Sequence, residues 1–452
     1  MIMMDMSLIP ECSIRKDEID PKDIVSSIAD HYVNHPCIFF ANGNAYWRDG
    51  NKYTFLNSES LMAVIIKQLP KDIRMKVSSS QNKECGSRIK CNPDLQFDLN
   101  AELDKSRLYV NLENGEYSIM DKDLVNKKTN LVYDYKLKCN YRKGCKIQDA
   151  PNFLEFAKKS IGTEQIITLL IIIGCCLSSL TKLRKCFMLI GKPRSGKSTI
   201  LDFLESIFTS ELVSHESFSS MASERAKAHY IGKKVNICRE CSRKPMKQAE
   251  GFKSLVSCEW TTGSEKHEKS IDFRSTIKFI FASNFELKFT ELDDAVLDRW
   301  DVVLFNNTIP ENELDPDLDK KLLAERDTII SLALDTLKDV VESGYKDFKM
   351  SQEAENYILQ RRLALHSAED FLTEKAVLDP DGFVSTVSLY QQYMLWCSDN
   401  GITAISPVDF QERVLSFDKS IVKKKKGPSS NRINNYIGIR LKSAEEFTDA
   451  ES

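Results

Sequence analysis

The chain has 452 residues, of which 42% are hydrophobic and 29% are charged, and its formal net charge is −3. This length predicts two or three domains, and the composition excludes a disordered or fibrous protein. Because the net charge is close to zero, any nucleic-acid binding must depend on local basic patches and not on a global positive field.

The first 100 residues are the least informative part of the sequence. They contain a turn-rich stretch at 41–44 and a polar segment at 78–92, which we predict to be mobile. From 101 to 180 we expect an α+β and helical domain that begins with a strand and a tight hairpin at 113–116. The apolar run at 166–180 is too short to span a membrane and predicts a buried core helix.

Residues 181–345 alternate short apolar runs with helical segments, which predicts an α/β domain with a parallel sheet. Residues 315–345 read as one amphipathic helix at the end of this domain. A third unit, 351–442, is basic in its final part, with nine Lys/Arg against three Asp/Glu over 405–442, and the residues at 443–452 form an acidic tail.

A phosphate-binding loop is the clearest motif. An apolar strand at 186–190 runs into Gly191-x4-Gly196-Lys197-Ser198, and helical spacing follows. Such a loop works when its backbone N–H groups and the helix N-terminus converge on phosphates, while the lysine reaches the β- and γ-phosphates. A hydroxyl from Ser198 or Thr199 would bind Mg²⁺. We therefore predict ATP and Mg²⁺ as cofactors, bound by Gly191, Lys192, Pro193, Arg194, Ser195, Gly196, Lys197, Ser198 and Thr199.

Three further residues stand where ATP hydrolysis needs them. Glu240 follows the predicted strand 235–238 and would orient water and share in the metal shell, although strand ends often carry a merely solvated acid. Asn284 ends the next apolar strand, where it is either a phosphate sensor or a turn former. Arg299 could act as an arginine finger, which reaches across a subunit boundary to the charge developing on the phosphate, or it could form a salt bridge with Asp298 or Asp301.

In this order, the loop, Glu240, Asn284 and Asp298-Arg299-Trp300 resemble the superfamily 3 helicases of the AAA+ class. The chain looks closest to the poxvirus and phage-satellite primase-helicase branch of phages, plasmids and chromosomal islands. The segment Val110-Asn-Leu-Glu-Asn114-Gly115 is similar to the "NVKNG" hairpin of the small domain in that branch. The resemblance implies an AAA+ P-loop core with Lys197, Glu240, Asn284 and Arg299 in catalysis and with Ser198 and Glu240 at the metal.

The resemblance also implies two DNA-binding regions. Superfamily 3 motors insert a β-hairpin before the Asn-bearing strand, and Lys266-His267 matches the Lys-His pair at its tip, although a solvated charged turn is the alternative. Residues 351–442 are similar to a winged-helix module. The expected DNA-binding residues are Lys266, His267, Lys269, Lys423, Lys424, Lys425 and Lys426.

Two features depart from the family pattern. Arg239 stands where relatives more often have a small or acidic residue, which leaves metal coordination by Glu240 in doubt. The first 100 residues carry no carboxylate cluster that matches a primase, so priming is not supported.

The thirteen cysteines occur without a secretory signal, which favours a reducing cytoplasm. The Cys85/Cys91 and Cys139/Cys145 spacings are looser than those of usual zinc sites. Cys238 and Cys241 have redox-motif spacing, but we give the main role there to Glu240.

The resemblance implies a hexameric ring that moves 3′ to 5′ on single-stranded DNA as the replicative helicase or origin-melting initiator of a mobile element. The alternative is an initiator that assembles on duplex DNA at an origin without processive unwinding. A protein remodeller or a P-loop small-molecule kinase would have the same loop. The expected partners are single- and double-stranded DNA, further copies of the chain and host replication proteins, with no membrane association.

Overall fold

A computed structural model of the full chain describes residues 14–34, 37–41, 44–49, 52–126, 131, 133–264, 270–285, 287, 293–426 and 433–443. By its internal contacts the chain divides into two units, the first with residues 1–290 and 301–350 and the second with residues 291–300 and 351–452.

The N-terminal part of the first unit is built on a three-stranded antiparallel sheet with the order β1-β2-β3. Its helices pack on the sheet around a separate hydrophobic core that includes Ile28, Phe40 and Val64. The elements are α1 (Ile24–Asn34), β1 (Ile38–Ala41), β2 (Asn44–Asp49), β3 (Lys52–Leu56), α2 (Ser58–Lys67), α3 (Lys71–Arg74), α4 (Ser79–Cys91) and α5 (Leu99–Ser106).

Helix α4 corrects one prediction, because the polar segment 78–92 is ordered. Ser78 and Gln81 form a capping box at its N-terminus, which satisfies backbone N–H groups that would otherwise lack partners. Cys85 and Ile89 lie one turn apart and are buried. Because the buried face of α4 is so narrow, most of its residues are polar, and the composition of the segment predicted a mobile stretch instead of a helix.

A small antiparallel sheet follows, with β4 (Tyr109–Leu112), β5 (Gly115–Ser118) and β6 (Asp123–Leu124). The predicted hairpin is confirmed, since Leu112 pairs with Gly115 across the turn. The Asn114 side chain both donates to the Tyr141 carbonyl, at 2.9 Å, and accepts from the Tyr141 N–H, at 3.0 Å. This pair of bonds ties the hairpin to the chain that leads into the next helices.

The rest of the first unit is an α/β domain, as predicted, around a five-stranded sheet with the order β13-β7-β12-β9-β8. The pairs β7/β12, β9/β12 and β8/β9 are parallel. Its strands are β7 (Cys186–Gly191), β8 (Val213–Ser214), β9 (Val235–Cys238), β12 (Lys278–Ser283) and β13 (Trp300–Phe305), and β10 (Trp260–Gly263) and β11 (Ile271–Arg274) form a separate hairpin.

The helices of this domain and of the start of the second unit are α6 (Pro151–Ile161), α7 (Ile166–Leu177), α8 (Lys197–Ser206), α9 (Glu224–His229), α10 (Ala249–Val256), α11 (Asp294–Leu297), α12 (Leu318–Ala324) and α13 (Arg326–Glu342). Helices α12 and α13 correct the prediction of one helix over 315–345. The chain bends at Glu325, whose carboxylate accepts hydrogen bonds from the N–H groups of Asn152 and Phe153 at the start of α6.

Helix α7 is the core helix predicted from the apolar run, and it is buried along almost its whole length. It packs against α13 at a crossing where Gly174 lies so close that a Cβ atom there would stand 2.5 Å from the Ala333 carbonyl oxygen. No single helix in the described part of the chain is long and apolar enough to cross a membrane, and the bent pair α6 and α7 passes only by length and composition.

The second unit contains α14 (Gln352–Lys375), β14 (Ala376–Ser385), α15 (Thr386–Asp399), α16 (Pro407–Phe417), β15 (Val422–Lys426) and β16 (Ile433–Leu441). Its antiparallel sheet has the order β14-β16-β15, so β15 is an edge strand. Phe371, Tyr393 and Phe410 of three helices meet in its core, where the rings of Tyr393 and Phe410 stack at 4.3 Å.

Candidate functional site

The loop from Gly191 to Ser198 joins β7 to α8, as the sequence predicts. Gly196 is the N-cap of α8 and has a left-handed backbone with φ of 94°, which glycine adopts without strain. A Cβ atom on Gly196 would lie 2.6 Å from Cε2 of Phe156 and 2.7 Å from Oγ of Ser160, both on α6. A Cβ atom on Gly191 would lie 2.0 Å from the Phe305 carbonyl oxygen. Both glycines are therefore required by close packing around the loop.

The Lys197 side chain turns back onto this loop. Its ammonium donates to the carbonyl oxygens of Gly191 and Lys192, at 2.9 and 2.5 Å, and to Oγ of Ser195, at 3.1 Å. Only 7% of Lys197 is exposed, and burial lowers its pKa. Among the described residues the hydrogen-bond partners of this ammonium are neutral, so an anion would replace weak carbonyl contacts with charge-assisted hydrogen bonds.

The loop has the form of a cradle for an anion. The first N–H groups of α8 have no partners within the helix, and they sit at the positive end of the helix dipole. The Ser198 side chain is exposed next to them, and that of Thr199 is partly exposed. Backbone N–H groups, a lysine and a hydroxyl are the donor set that a nucleotide phosphate with Mg²⁺ takes.

Glu240 lies just beyond the end of β9 and is exposed. Arg239, beside it, bridges to α8: its Nε donates to Asp202 at 2.7 Å, and its Nη2 binds Glu205. Although burial opposes the charge, the hydrogen bonds to Glu205 and Asp202 raise the pKa of Arg239. Arg239 therefore points toward α8 and ties the chain beside Glu240 to the helix that follows the phosphate loop.

Asn284 follows β12 and is exposed. Strand β12 lies between β7 and β9, with Ser283 paired to Ile190 and Phe281 paired to Cys238. Beyond β9 the chain stays beside β12, because the Cys241 N–H donates to the Ala282 carbonyl at 3.3 Å. Neighbouring strands lie about 4.8 Å apart. The loop, Asn284 and Glu240 therefore follow the carboxyl ends of three adjacent strands and lie along the same edge of the sheet.

Arg299 belongs to the second unit, after α11. Its Nη1 donates to the Ala295 carbonyl at 2.6 Å. Of the two acids considered as its partners, Asp298 binds Arg362 at 2.5 Å. Asp301 is fully buried, which raises its pKa to about 7. The finger role of Arg299 stays a prediction.

The expected DNA-binding residues fall in two places. Lys266, His267 and Lys269 lie outside the described residues, between the strands of the β10–β11 hairpin, in which Gly263 pairs with Ile271. Lys423 to Lys426 make up most of the edge strand β15, and the side chains of Lys423, Lys424 and Lys425 are exposed. A hairpin therefore precedes the Asn-bearing strand, as the family resemblance implies.

Several residues that shape the site carry no recognisable signal in the sequence. Phe156 and Ser160 of α6 pack closely against Gly196. Asp202 and Glu205 form ion pairs with Arg239. All four look like ordinary helix residues. Only packing brings Phe156 and Ser160 to the loop, and only packing brings Arg239 to Asp202 and Glu205. In the described part of the chain, no group of three or more His, Cys, Asp or Glu side chains is placed to hold a metal ion by itself.

Comparison with known proteins adds little to this geometry. A model of a family of unknown function (DUF5906) matches residues 189–299, which span the loop, Glu240, Asn284 and Arg299. None of the curated proteins matches the chain.

Solved structures of the NrS-1 C-terminal region resemble the chain weakly. One apo structure is 14% identical and has a TM-score of 0.46, over 94% of this chain and 100% of that one. An A-form apo structure is 13% identical with a TM-score of 0.43, over 91% and 98%. Similarity at this level transfers no function.

Proposed function

We propose that this chain is an ATP-dependent DNA helicase that works in replication of a mobile genetic element. The observation that carries the proposal is the common sheet edge of the phosphate loop, Asn284 and Glu240. Parallel strands present their carboxyl ends on one side, and ligands of open α/β sheets bind there. The motif order matches the superfamily 3 helicases of the AAA+ class, which the sequence resembles.

In the proposed reaction, Lys197 exchanges its carbonyl partners for the β- and γ-phosphate oxygens of ATP. Ser198, with Thr199 beside it, would offer a hydroxyl to Mg²⁺, and the ion would supply positive charge against the phosphates. Glu240 takes a proton from the attacking water or orients it, and Asn284 contacts the γ-phosphate from the strand between. The positive charge of Arg239 is offset by Asp202 and Glu205 of α8, so it opposes a metal ion beside Glu240 less than an unpaired arginine would.

The DNA-binding half of the proposal rests on the hairpin and on β15. Lys266, His267 and Lys269, which lie in the sequence between β10 and β11, would contact the tracked strand. The second unit has the element order helix, strand, helix, helix and two-stranded hairpin, which is compatible with the winged-helix module expected there. Its lysines at 423–426 would bind phosphates of duplex DNA.

We further propose that copies of the chain assemble into a hexameric ring in which Arg299 completes the ATP site of a neighbour. Its guanidinium would stabilise the charge that develops on the transferred phosphoryl group. The resemblance implies movement 3′ to 5′ on single-stranded DNA. The second candidate is an initiator that assembles on duplex DNA at an origin without processive unwinding, and the same basic strand favours it.

The test is ATP hydrolysis and strand displacement by the full chain and by Lys197→Ala. Loss of one preorganised charge in such a site lowers turnover at least ~100-fold, so we expect the variant to lose both activities. Lys320→Ala changes an exposed surface lysine and serves as the control. Near-normal hydrolysis by Lys197→Ala would show that the ATP site is elsewhere.

Tailed duplexes separate the two candidates. The helicase should displace the strand from a substrate with a 3′ single-stranded tail and leave a 5′-tailed duplex intact. DNA-stimulated hydrolysis without displacement on either substrate would favour the initiator instead.

A further inference from the structure

Two cysteines enclose the proposed catalytic acid. Cys238 is the last residue of β9, and Cys241 lies three residues on, just beyond Glu240. Their Sγ atoms are 3.9 Å apart, and the two residues are only 6% and 7% exposed. A disulfide bond is about 2 Å long, so an approach of roughly 2 Å between the sulfurs would close it.

The backbone inside this loop is held by contacts that a disulfide would disturb. The Cys238 thiol donates to the Glu240 carbonyl oxygen at 3.4 Å, and the Cys241 N–H binds Ala282 on β12. Arg239, the residue after Cys238, is held by ion pairs to Asp202 and Glu205 of α8. Oxidation removes the Cys238 S–H donor and with it the hydrogen bond to the Glu240 carbonyl. Rotation of the two cysteine side chains, together with the backbone released at Glu240, brings the sulfurs together.

We propose that Cys238 and Cys241 are an oxidisable dithiol whose disulfide, formed by a hydroperoxide, displaces Glu240 and stops ATP hydrolysis reversibly. The disulfide itself follows from the distance between the sulfurs, whereas its effect on hydrolysis rests on the proposed function. A misplacement of about 1 Å in a catalytic group costs on the order of 100-fold in rate.

The chemistry needs one equivalent of hydroperoxide. Sulfur of Cys238 attacks the peroxide, an S–O bond forms, the O–O bond breaks, and the thiol proton leaves in water or alcohol. Sulfur of Cys241 then displaces the hydroxyl, an S–S bond forms, the S–O bond breaks, and water carries away the second proton. The two thiols lose two electrons and the peroxide gains them. A small hydroperoxide fits the limited exposure of both sulfurs, and a dithiol reverses the change.

Peptide mapping tests the disulfide without reference to activity. Trypsin cuts after Lys234, Arg239 and Arg243, so the reduced chain yields the separate peptides 235–239 and 240–243. After brief treatment of the full chain with hydrogen peroxide, quenching with catalase and blocking of free thiols, we expect the two peptides joined with the loss of two hydrogens. Dithiothreitol should separate them. Persistence of both peptides as separate blocked thiols would overturn the proposal.

ATP hydrolysis of the same samples tests the regulation. We expect the oxidised chain to lose at least about tenfold in rate and to recover with dithiothreitol. Cys238→Ser and Cys241→Ser should hydrolyse ATP when reduced and resist peroxide, whereas Cys91→Ser, at an exposed cysteine outside this loop, should remain sensitive.

The outcomes separate the two proposals. A joined peptide with an unchanged rate would overturn the regulatory role. A joined peptide in a chain that never hydrolyses ATP would refute the proposed function and with it the regulatory role, and leave the disulfide standing.

Discussion

At the residue scale, the contacts of Arg239 explain why an arginine can stand beside the proposed catalytic acid. In the superfamily 3 helicases that the sequence resembles, the residue before the catalytic acid is more often small or acidic, so an arginine there put metal coordination in doubt. Its guanidinium bridges to two carboxylates of α8, so its charge is already neutralised beside Glu240. Both partners are about one-third exposed or more, and such a pair contributes little to stability. Its value lies in fixing the position of the chain that carries Glu240.

Gln165 provides a stability prediction at this scale. Its side-chain amide donates to the Leu304 carbonyl at 2.9 Å and accepts from the Leu304 N–H at 2.8 Å, and so acts as a partner for the edge strand β13. Gln165→Ala would leave two buried backbone groups without partners, at about 1–3 kcal/mol each. We expect urea denaturation to report a loss of about 2–6 kcal/mol in the free energy of unfolding. Gln248→Ala, at an exposed glutamine, should change stability by less than about 0.5 kcal/mol.

At the element scale, the helices show where local sequence patterns are sufficient to predict the structure. The uniform apolar run of α7 predicted a buried helix correctly. The break between α12 and α13 was not predicted, because apolar spacing continues across it and only the contact of Glu325 with the start of α6 marks the bend. Helix α4 was missed for the opposite reason, since a short apolar face sits in a polar segment.

The crossing of α7 and α13 yields a prediction for this scale. Gly174→Ala would place a methyl group against the Ala333 carbonyl, and the helices could not separate without losing contacts along the crossing. Overpacking of this kind costs about 1–3 kcal/mol, which should lower the midpoint of thermal unfolding by several degrees. Ile167→Ala changes an exposed side chain of the same helix and should have a much smaller effect. An unchanged midpoint for Gly174→Ala would mean that the crossing is looser than described.

At the scale of the whole molecule, the net charge of −3 hides a strongly basic edge strand. Successive side chains of a strand point to opposite faces, so the exposed lysines at 423–425 present charge on both sides of β15. The long-range field of the chain is weak, so we expect the proposed binding to DNA to be short-ranged and sensitive to salt.

Salt dependence tests this. In the full chain, we expect Lys423→Gln, Lys424→Gln and Lys425→Gln together to weaken binding to duplexes of any sequence. The slope of log K against log salt should become shallower by about one unit for each lysine that contacts a phosphate. Lys320→Gln with Lys338→Gln removes exposed or partly exposed charges from α12 and α13 as the control. An unchanged slope would show that the lysines of β15 do not contact DNA.

The sequence by itself determined the features that are local in the chain. These features follow from contiguous motifs or from a regular spacing of apolar residues: the strand, loop and helix around Gly191–Ser198, the strands before Glu240 and Asn284, the hairpin at Asn114 and the buried helix α7. These signals depend on neighbours within a few positions, so one sequence suffices to find them.

Only the tertiary structure decided which distant segments meet. The register of β12 between β7 and β9 gathers the loop, Asn284 and Glu240 at one edge. Packing of α6 explains why residue 196 must be glycine, and the fold of the chain after β9 sets the 3.9 Å between two sulfurs. Such contacts arise from burial of shared apolar surface between elements far apart in the chain, which no local pattern encodes.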